Sequence, residues 1–386
     1  MDHLAMRQHN ATSTLDVLYR RSPATMADLQ AELRLSRRTL ELILDDLMRA
    51  GWVDEVFPAA GGPRPKGRPA RVFAFRYDAG SLLAVQLDAG ATTVTLTDLA
   101  ADEVRVSHEA MPIETSREDR LASLRRLVTG LLASAGVDRS DVLAATVSTP
   151  GIVHDDGTVD LPFTMPGWTG FSLAAVLAEH VDCPVTVEND AKLAALGEKW
   201  SREDGIENFA YLFSDGDRIG LGLVLGGELY RGVDGNAGEI SWAPALGISH
   251  VHSPLLHGLP DESGADHDTA AALVDAARAG DPGALAEVGR VAQALAPAIT
   301  TLSWVLAPEE VVLGGTLGLV QDLLLPALDE VLARNDRPLR TRVVGSRFGE
   351  RAVLAGCLQM CVETLRAGFA EGAETRPGDQ VVEQEA

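Results

Sequence analysis

The chain has 386 residues, 46% of them apolar, and a formal net charge of −23, so it is long enough for two or three domains with a large buried core. It contains no run of eighteen apolar residues, no basic and apolar secretory signal, and too few cysteines for a disulfide framework. These features exclude a membrane partner, and we expect a cytoplasmic protein. The three cysteines, expected to be free thiols in the core, are Cys183, Cys357 and Cys361.

The charge changes sign near residue 77. Residues 1–77 contain twelve Lys or Arg and nine Asp or Glu, so this segment carries +3 and the rest of the chain carries −26. A small basic segment joined to a large acidic one predicts one domain that meets nucleic acid and one that does not. We therefore expect an N-terminal domain at residues 1–77 and a body at residues 78–368. Residues 369–386 are acidic with few large apolar side chains, and we expect them to be a disordered tail.

The N-terminal segment has the pattern of three short helices. Thr25 and Asp28 make a capping box that begins the second helix, and Ser36 is a good N-cap for the third. The third helix has four apolar residues at i, i+3, i+4 and i+7, which indicates one buried stripe. The pattern predicts a helix-turn-helix. The four apolar residues are Leu40, Ile43, Leu44 and Leu47.

Two strand-prone segments, residues 52–57 and 71–77, follow and are separated by a loop rich in glycine and proline. The loop has basic residues and no acid, which suits contact with phosphate or the minor groove, and the start of the third helix is where base edges are usually reached. We therefore predict a winged helix-turn-helix that binds double-stranded operator DNA, in preference to a solvated basic surface. The predicted contacts are Arg37, Arg38 and Thr39 in the helix and Arg64, Lys66 and Arg68 in the loop.

Acidic residues on the same helix oppose DNA binding by a single head. Glu41, Asp45 and Asp46 repel the DNA backbone unless they are turned away from it. A second head would offset this repulsion. We therefore expect the protein to bind its operator as a homodimer or a higher homo-oligomer.

The body begins with a hairpin, residues 82–99, whose two strands meet at a tight turn around Gly90. A glycine there lets the backbone approach a phosphate, the Thr92 hydroxyl can donate to it, and Asp88 can hold a hydrated Mg²⁺. The pattern is compatible with a phosphate loop, but a glycine in a hairpin turn is structural more often than it is functional.

A polar pair follows a second buried strand. Residues 184–189 deliver Asn189 and Asp190 at the carboxyl end of the strand, where α/β folds bind ligands. An aspartate there can take a proton from a sugar hydroxyl, and Asn189 can bond to neighbouring hydroxyls. Asp190 as the cap of the next helix explains the same residues equally well.

Six stretches of the body together carry a specific resemblance to a known family. They are residues 87–92, 148–153, 165–168, 187–191, 230–240 and 311–315. In this order they resemble the ROK family of repressors, uncharacterised reading frames and kinases, over residues 78–368. The resemblance implies the actin-like ATPase fold, an α/β body of two lobes that close over a sugar, with lobe 1 at about 78–197 plus the C-terminal helix and lobe 2 at about 198–345. Kinase members phosphorylate a sugar with ATP; repressor members carry a winged helix and use the body as a sensor.

The chain departs from the kinase members at a second phosphate loop. Kinases have Gly-Thr-Gly where this chain has Gly216-Asp217-Arg218, preceded by Asp215. At an intermediate dielectric, each carboxylate about 4 Å from a phosphate costs on the order of 4 kcal/mol. We therefore predict that ATP and Mg²⁺ are not cofactors here and that the protein is not an enzyme.

The family's zinc site is also altered. Its Cys-rich loop and the histidine that follows the equivalent of Glu239 have no counterpart, and residues 247–257 contain no cysteine. Three histidines do cluster there, but without thiolates we expect no zinc. They are His250, His252 and His257.

The same departures reduce the sugar contacts that the resemblance implies. Lys192 stands where the family often has a second asparagine, and it adds a charge beside the pocket. Trp242 either stacks on a sugar or fills the pocket. The candidate sugar contacts that remain are Gly151, Asn189, Asp190, which is the catalytic base in kinases and a vestigial one here, and Glu239; the vestigial phosphate loop is Asp88, Gly90 and Thr92.

These observations favour a transcriptional regulator of carbohydrate metabolism genes, acting as a repressor with a small-molecule sugar effector. Two alternatives remain at this point. One is an active, glucokinase-like ATP-dependent sugar kinase, which Asp88 and Asp190 favour. The other is a constitutive DNA-binding protein whose pocket is dead and whose body serves only to form a dimer.

Overall fold

The structure, a computed structural model, describes residues 3–56, 71–102, 105–160, 165, 167–202, 204–216, 218–243, 246, 248, 251, 253–256 and 267–372. Within these ranges the chain forms an N-terminal domain and a body built on two five-stranded sheets. Three helices surround the apolar core of the N-terminal domain, and an antiparallel sheet in the order β1-β3-β2 closes one side of it. The elements are α1 (His3–Arg20), β1 (Ala24–Thr25), α2 (Met26–Leu33), α3 (Arg37–Arg49), β2 (Val53–Val56) and β3 (Val72–Phe75).

Local sequence sets the helix boundaries in this domain. The Thr25 hydroxyl accepts from the Asp28 amide and the Asp28 carboxylate accepts from the Thr25 amide, so the predicted capping box is present at the start of α2. Ser36 caps α3 through the amide of Thr39. Residues 57–70, and with them Arg64, Lys66 and Arg68 of the predicted wing, lie outside the described residues.

The first sheet of the body has the order β11-β7-β4-β5-β6 and carries helices on both faces. β4 pairs antiparallel with β5 and parallel with β7, which in turn pairs parallel with β11. A small sheet of β8, β9 and β10 lies beyond β7 along the chain. The elements are β4 (Ser81–Leu87), β5 (Ala91–Asp98), β6 (Arg105–Ala110), α4 (Arg117–Ala135), β7 (Val142–Thr149), β8 (Ile152–Val153), β9 (Thr158–Asp160), β10 (Phe171–Ser172), α5 (Leu173–Ala178), β11 (Val185–Asn189) and α6 (Asp190–Trp200).

The second sheet has the order β14-β13-β12-β15-β16. β12 lies at its centre, antiparallel to β13 and parallel to β15. Its outer face packs on a separate apolar cluster with helices α7, α8 and α10. The elements are β12 (Phe209–Asp215), β13 (Arg218–Leu225), β14 (Glu228–Leu229), α7 (His267–Arg278), α8 (Pro282–Val305), β15 (Glu310–Gly315), α9 (Thr316–Leu319), α10 (Gln321–Leu332), β16 (Arg342–Gly345) and α11 (Ala352–Gly372).

Helix α11 joins three parts of the molecule. It crosses α6 at backbone contact, because a Cβ on Gly197 would lie 2.2 Å from the carbonyl oxygen of Ala352. It also packs on β4 and β7 of the first sheet. Its segment Ala352–Phe369 is long and apolar enough to span a membrane, but 61% of this segment is buried inside the protein, as in the core helix of a soluble protein. Cys357 and Cys361 lie on its buried face, whereas Cys183 is only half-buried.

The end of α11 enters the N-terminal domain. The ring of Phe369 lies 5.6 Å from that of Trp52 and 6.3 Å from that of Phe75, and its carbonyl accepts a hydrogen bond of 2.7 Å from Thr12. The prediction of a tail without structure from residue 369 onward is therefore wrong for residues 369–372, because burial of Phe369 extends the helix through them. Residues 373–386 lie outside the described residues.

Candidate functional site

Two hairpins face each other across a cleft between the sheets. The β4–β5 turn carries Asp88, the β12–β13 turn carries Asp215 and Arg218, and Asp190 opens α6. Burial, followed by the charges of Asp215 and Asp190, raises the pKa of Asp88 to about 7 against the opposing charge of Arg218. The same burial and the charge of Asp215 raise the pKa of Asp190 to about 7, again against Arg218. The cleft therefore brings three carboxylates together with one guanidinium, which itself bonds to Asp215.

The β4–β5 turn is held from within the body by a residue that the sequence analysis did not identify. Arg120 of α4 is 1% exposed, and its guanidinium donates to the carbonyl oxygens of Asp88 at 3.0 Å and Ala89 at 2.6 Å. Burial lowers its pKa. A buried cation therefore lies beneath the turn and fixes its backbone. An arginine within the apolar pattern of α4 was the one sequence signal that pointed to it.

Gly90 has no structural reason to be glycine. A Cβ built there meets no atom within 4 Å among the described residues, and its φ is not among the positive ones.

Thr92 does not fit the predicted phosphate loop. It pairs with Leu87, and the Leu87 side chain lies in the core under α4. The Thr92 hydroxyl therefore points to the same core, where it is buried without a described partner. The turn thus leaves room for a ligand at its backbone, but Thr92 does not present its hydroxyl to the cleft.

The polar pair after β11 is brought together with Gly151, as predicted, at the carboxyl ends of neighbouring parallel strands. Asn189, and not Asp190, caps α6: its side-chain oxygen accepts from the Lys192 amide at 3.1 Å. Its amide nitrogen donates to the Gly151 carbonyl at 2.9 Å and to Asp190 Oδ1 at 3.1 Å. Asp190 Oδ1 also accepts from the Ala191 amide at 2.7 Å. Both amide protons of Asn189 are therefore engaged, and Asp190 Oδ1 already accepts two hydrogen bonds. A ligand at this site meets Asp190 Oδ2 as the available carboxylate oxygen.

Glu239 lies beside these residues and contacts a buried lysine. The Lys192 side chain is 1% exposed; its Nζ donates to the Gly235 carbonyl at 2.7 Å and lies 3.6 Å from Glu239 Oε1. Burial raises the pKa of Glu239, and the ammonium of Lys192 opposes that rise. The expected sugar contacts therefore form one site, with Lys192 inside it.

The segment that carries Glu239 is tied to the first half of the body at two further points. Arg231 donates to the buried carboxylate of Glu188 at 2.5 Å, and Asp234 accepts from the Asp155 amide at 3.1 Å. These two contacts hold the segment next to the end of β11, where Asn189 and Asp190 lie. Trp242, which follows, is 58% exposed, so it does not fill a buried pocket.

The predicted DNA-contacting face of α3 is exposed. Arg38 is exposed and Leu42, one turn on, is 60% exposed, an apolar group that sequence reasoning missed. Arg37 pairs with Glu41 at 2.9 Å. The Thr39 hydroxyl lies 2.8 Å from that of Ser36.

The acidic residues of α3 are partly compensated within the domain. Asp46 pairs with Arg7 and with Arg49, the latter at 2.9 Å. Glu41 is neutralised in part by Arg37. The repulsion that these two acids exert on a DNA backbone is therefore smaller than their number suggests.

A metal site is not formed by the residues described. No group of three or more His, Cys, Asp or Glu side chains among them is placed to hold a metal ion. His250, His252, His257 and Asp217 lie outside the described residues, so the expected absence of zinc stays a prediction.

Comparisons with known proteins find the same relationships as the motifs. A model described as the ROK family matches residues 84–245 and 262–363. A xylose repressor of Caldicellulosiruptor bescii is 23% identical over 397 residues, which cover 94% of this chain and 98% of that protein. A glucokinase of Halalkalibacterium halodurans is 29% identical over 279 residues, 64% of this chain and 84% of that protein.

Solved structures share the fold. A ROK family transcriptional regulator, a homologue of the Escherichia coli MLC protein, superposes with a TM-score of 0.70 at 21% identity and covers 96% of this chain and 99% of its own. A ROK family glucokinase from Streptomyces griseus, in complex with glucose and AMPPNP, gives a TM-score of 0.59 at 21% identity over 74% of this chain and all of its own. The body thus has the actin-like sugar-kinase fold.

Proposed function

The chain belongs to the ROK family, and from that premise we propose that it is a DNA-binding transcriptional repressor of carbohydrate genes whose body senses a sugar or sugar derivative. The observation that carries the proposal is the extent of each similarity. The two regulators named above match 94% and 96% of the chain, N-terminal domain included. The two glucokinases match 64% and 74%, about the extent of the body alone.

The N-terminal domain supports DNA binding by its own geometry. Helices α2 and α3 follow each other with Arg34 in a left-handed turn between them, and β2 and β3 form the paired base of a wing. This is the arrangement of a winged helix-turn-helix, in which α3 enters the major groove. Arg38 and Leu42 are exposed on α3, where a guanidinium can bond to guanine and an apolar side chain can contact a thymine methyl. We propose operator binding as a homodimer.

A continuous set of contacts links the sugar site to this domain. Asn189 and Asp190 begin α6, α6 crosses α11 at Gly197, and α11 inserts Phe369 between aromatic rings of the N-terminal domain. A ligand that changes the angle between α6 and the second sheet therefore moves α11 as well. Movement of α11 shifts the N-terminal domain, which carries the DNA-binding helix α3. Such a ligand shifts operator affinity only by its difference in affinity for the two states.

The cleft is poorly suited to ATP. The β12–β13 turn, which faces Asp88 across the cleft, presents the carboxylate of Asp215 where a nucleotide's phosphates approach, and the guanidinium of Arg218 is engaged by that carboxylate. Anionic phosphates placed against these acids are repelled. We therefore propose a sensor without turnover, and we derive no reaction step through ATP or Mg²⁺.

The test is capture of sheared DNA from the source organism by the purified full-length protein at physiological salt, followed by sequencing. Enrichment of one or a few palindromic sites supports the repressor, and neighbouring genes indicate the sugars to test. Retention that is abolished by salt and blind to sequence overturns the proposal, because it reflects phosphate contact alone.

A sugar kinase remains the second candidate, because Asp88 and Asp190 are both retained in the cleft and Asp190 Oδ2 is available as a base. Asp190-dependent release of ADP over a hexose panel would establish it. A constitutive DNA-binding protein is the third. It predicts the same melting temperature with every sugar, since any ligand that binds the native state raises stability.

A further inference from the structure

The amino group of Lys192 is enclosed in the candidate sugar site. The side chain is 1% exposed, and Nζ lies between the Gly235 carbonyl and Glu239 Oε1. The Gly235 backbone is packed directly against Val153, because a Cβ on Gly235 would be 2.0 Å from the Val153 carbonyl oxygen. Gly235 also has a φ of +72°, a conformation that favours glycine. The ammonium is therefore held in a fixed position, and it cannot swing away when a ligand enters.

Glu239 lies next to this ammonium and connects it to the acidic groups of the cleft. Glu239 raises the pKa of Asp190, so the two carboxylates act on each other through the same space. Asp88 and Asp215 add two more acids to the cleft, and Arg218 adds one cation. Without Lys192, four acidic side chains would face a single guanidinium, and those of the four that are ionised attract cationic ligands.

We propose that Lys192 determines the charge selectivity of the site: it excludes cationic amino sugars and leaves the site to neutral sugars. The inference rests on the proposed sugar-sensing role. A protonated amine bound at Glu239 lies close to the ammonium that is 3.6 Å from that carboxylate and is repelled by it, whereas a hydroxyl at the same position is not. Lys192 also holds Glu239 in place as a hydrogen-bond acceptor for that hydroxyl.

The test compares two matched sugar pairs, D-glucosamine with D-glucose and D-mannosamine with D-mannose, whose members differ at one group. Binding to the full-length protein is measured by isothermal titration calorimetry at pH 7.0, where the aspartates of the cleft are partly ionised, for the wild type, Lys192→Met and Lys192→Gln, which remove the charge, and Lys192→Arg, which keeps it. We expect the wild type and Lys192→Arg to prefer the neutral member. The two neutral variants should shift the ratio of dissociation constants at least tenfold towards the amino sugar, and a newly acquired affinity for the amino sugar counts as such a shift.

The same ratio in the wild type and in both neutral variants overturns the inference, and so does a lack of binding of all four sugars by every variant. Circular dichroism and retardation of operator DNA identify variants that fail to fold. Because operator binding is measured on the same samples, loss of DNA binding in the wild type counts against the repressor proposal, whereas an unchanged sugar preference counts only against the role of Lys192.

Discussion

Gly356 of α11 lies against the backbone of Leu193 on α6, so closely that a Cβ on Gly356 would be 1.8 Å from the Leu193 carbonyl oxygen. Contact at this distance allows no side chain of any size. The two helices are therefore locked together midway between the sugar site at the start of α6 and the N-terminal domain at the end of α11. The proposed coupling between the two would pass through this crossing.

Gly356→Ala is expected to destabilise the protein by on the order of 3 kcal/mol, because the added methyl group pushes the two backbones apart. The matched control is Gly368→Ala on the same helix, where a Cβ meets nothing within 4 Å and alanine favours the helix. Chemical denaturation followed by circular dichroism measures both. Equal midpoints for the two variants would mean that the crossing is not tightly packed.

Much of the N-terminal domain could be predicted from the sequence, because its signals are local. The capping box of Thr25 and Asp28 and the cap at Ser36 each join residues three positions apart, and both form as expected. The four apolar residues of α3 are buried on one face, as their spacing predicted.

The decisive contacts of the candidate sugar site could not be predicted, because they join residues far apart in the chain. Lys192 bonds to the carbonyl of Gly235, 43 residues away, and nothing in the spacing of either motif indicates it. The bonds from Arg120 to Asp88 and Ala89 are equally non-local. The motifs did indicate which segments meet.

The aromatic contact at the end of α11 gives a second prediction. Phe369→Ala leaves a cavity among the rings of Trp52 and Phe75, and we expect a loss of about 3–5 kcal/mol from that core. Because this core joins the N-terminal domain to the body, backbone amides of α1 should exchange with deuterium faster than in the wild type. Glu363→Ala, an exposed position on the same helix, is the control, and equal exchange in both variants would show that Phe369 does not hold the domain.

The DNA-binding helix gives a third prediction. Arg37→Ala with Arg38→Ala should abolish operator retardation while leaving the circular dichroism spectrum unchanged, since each arginine contact to a base or phosphate is worth about 1–3 kcal/mol. Arg105→Ala with Arg125→Ala removes the same charge from the body and should leave retardation intact. Normal retardation by the first double variant would remove α3 from the interface.

Asp88 and Asp190 predict how stability depends on pH. Burial and repulsion by Asp215 raise the pKa of each to about 7 in the folded protein, from 3.8 for an ordinary aspartate. The folded state therefore binds more protons than the unfolded state between about pH 4 and 7, so its stability falls as the pH rises through this range and stays low above it. The two groups interact, so the transition belongs to the pair.

Scanning fluorimetry should give a higher melting temperature at pH 5.5 than at pH 8. The difference should shrink in Asp88→Asn and in Asp190→Asn. It should persist in the control Asp336→Asn, which alters an exposed carboxylate. An identical pH profile in all four proteins would mean that Asp88 and Asp190 stay solvated and titrate as ordinary aspartates, against the raised pKa of each.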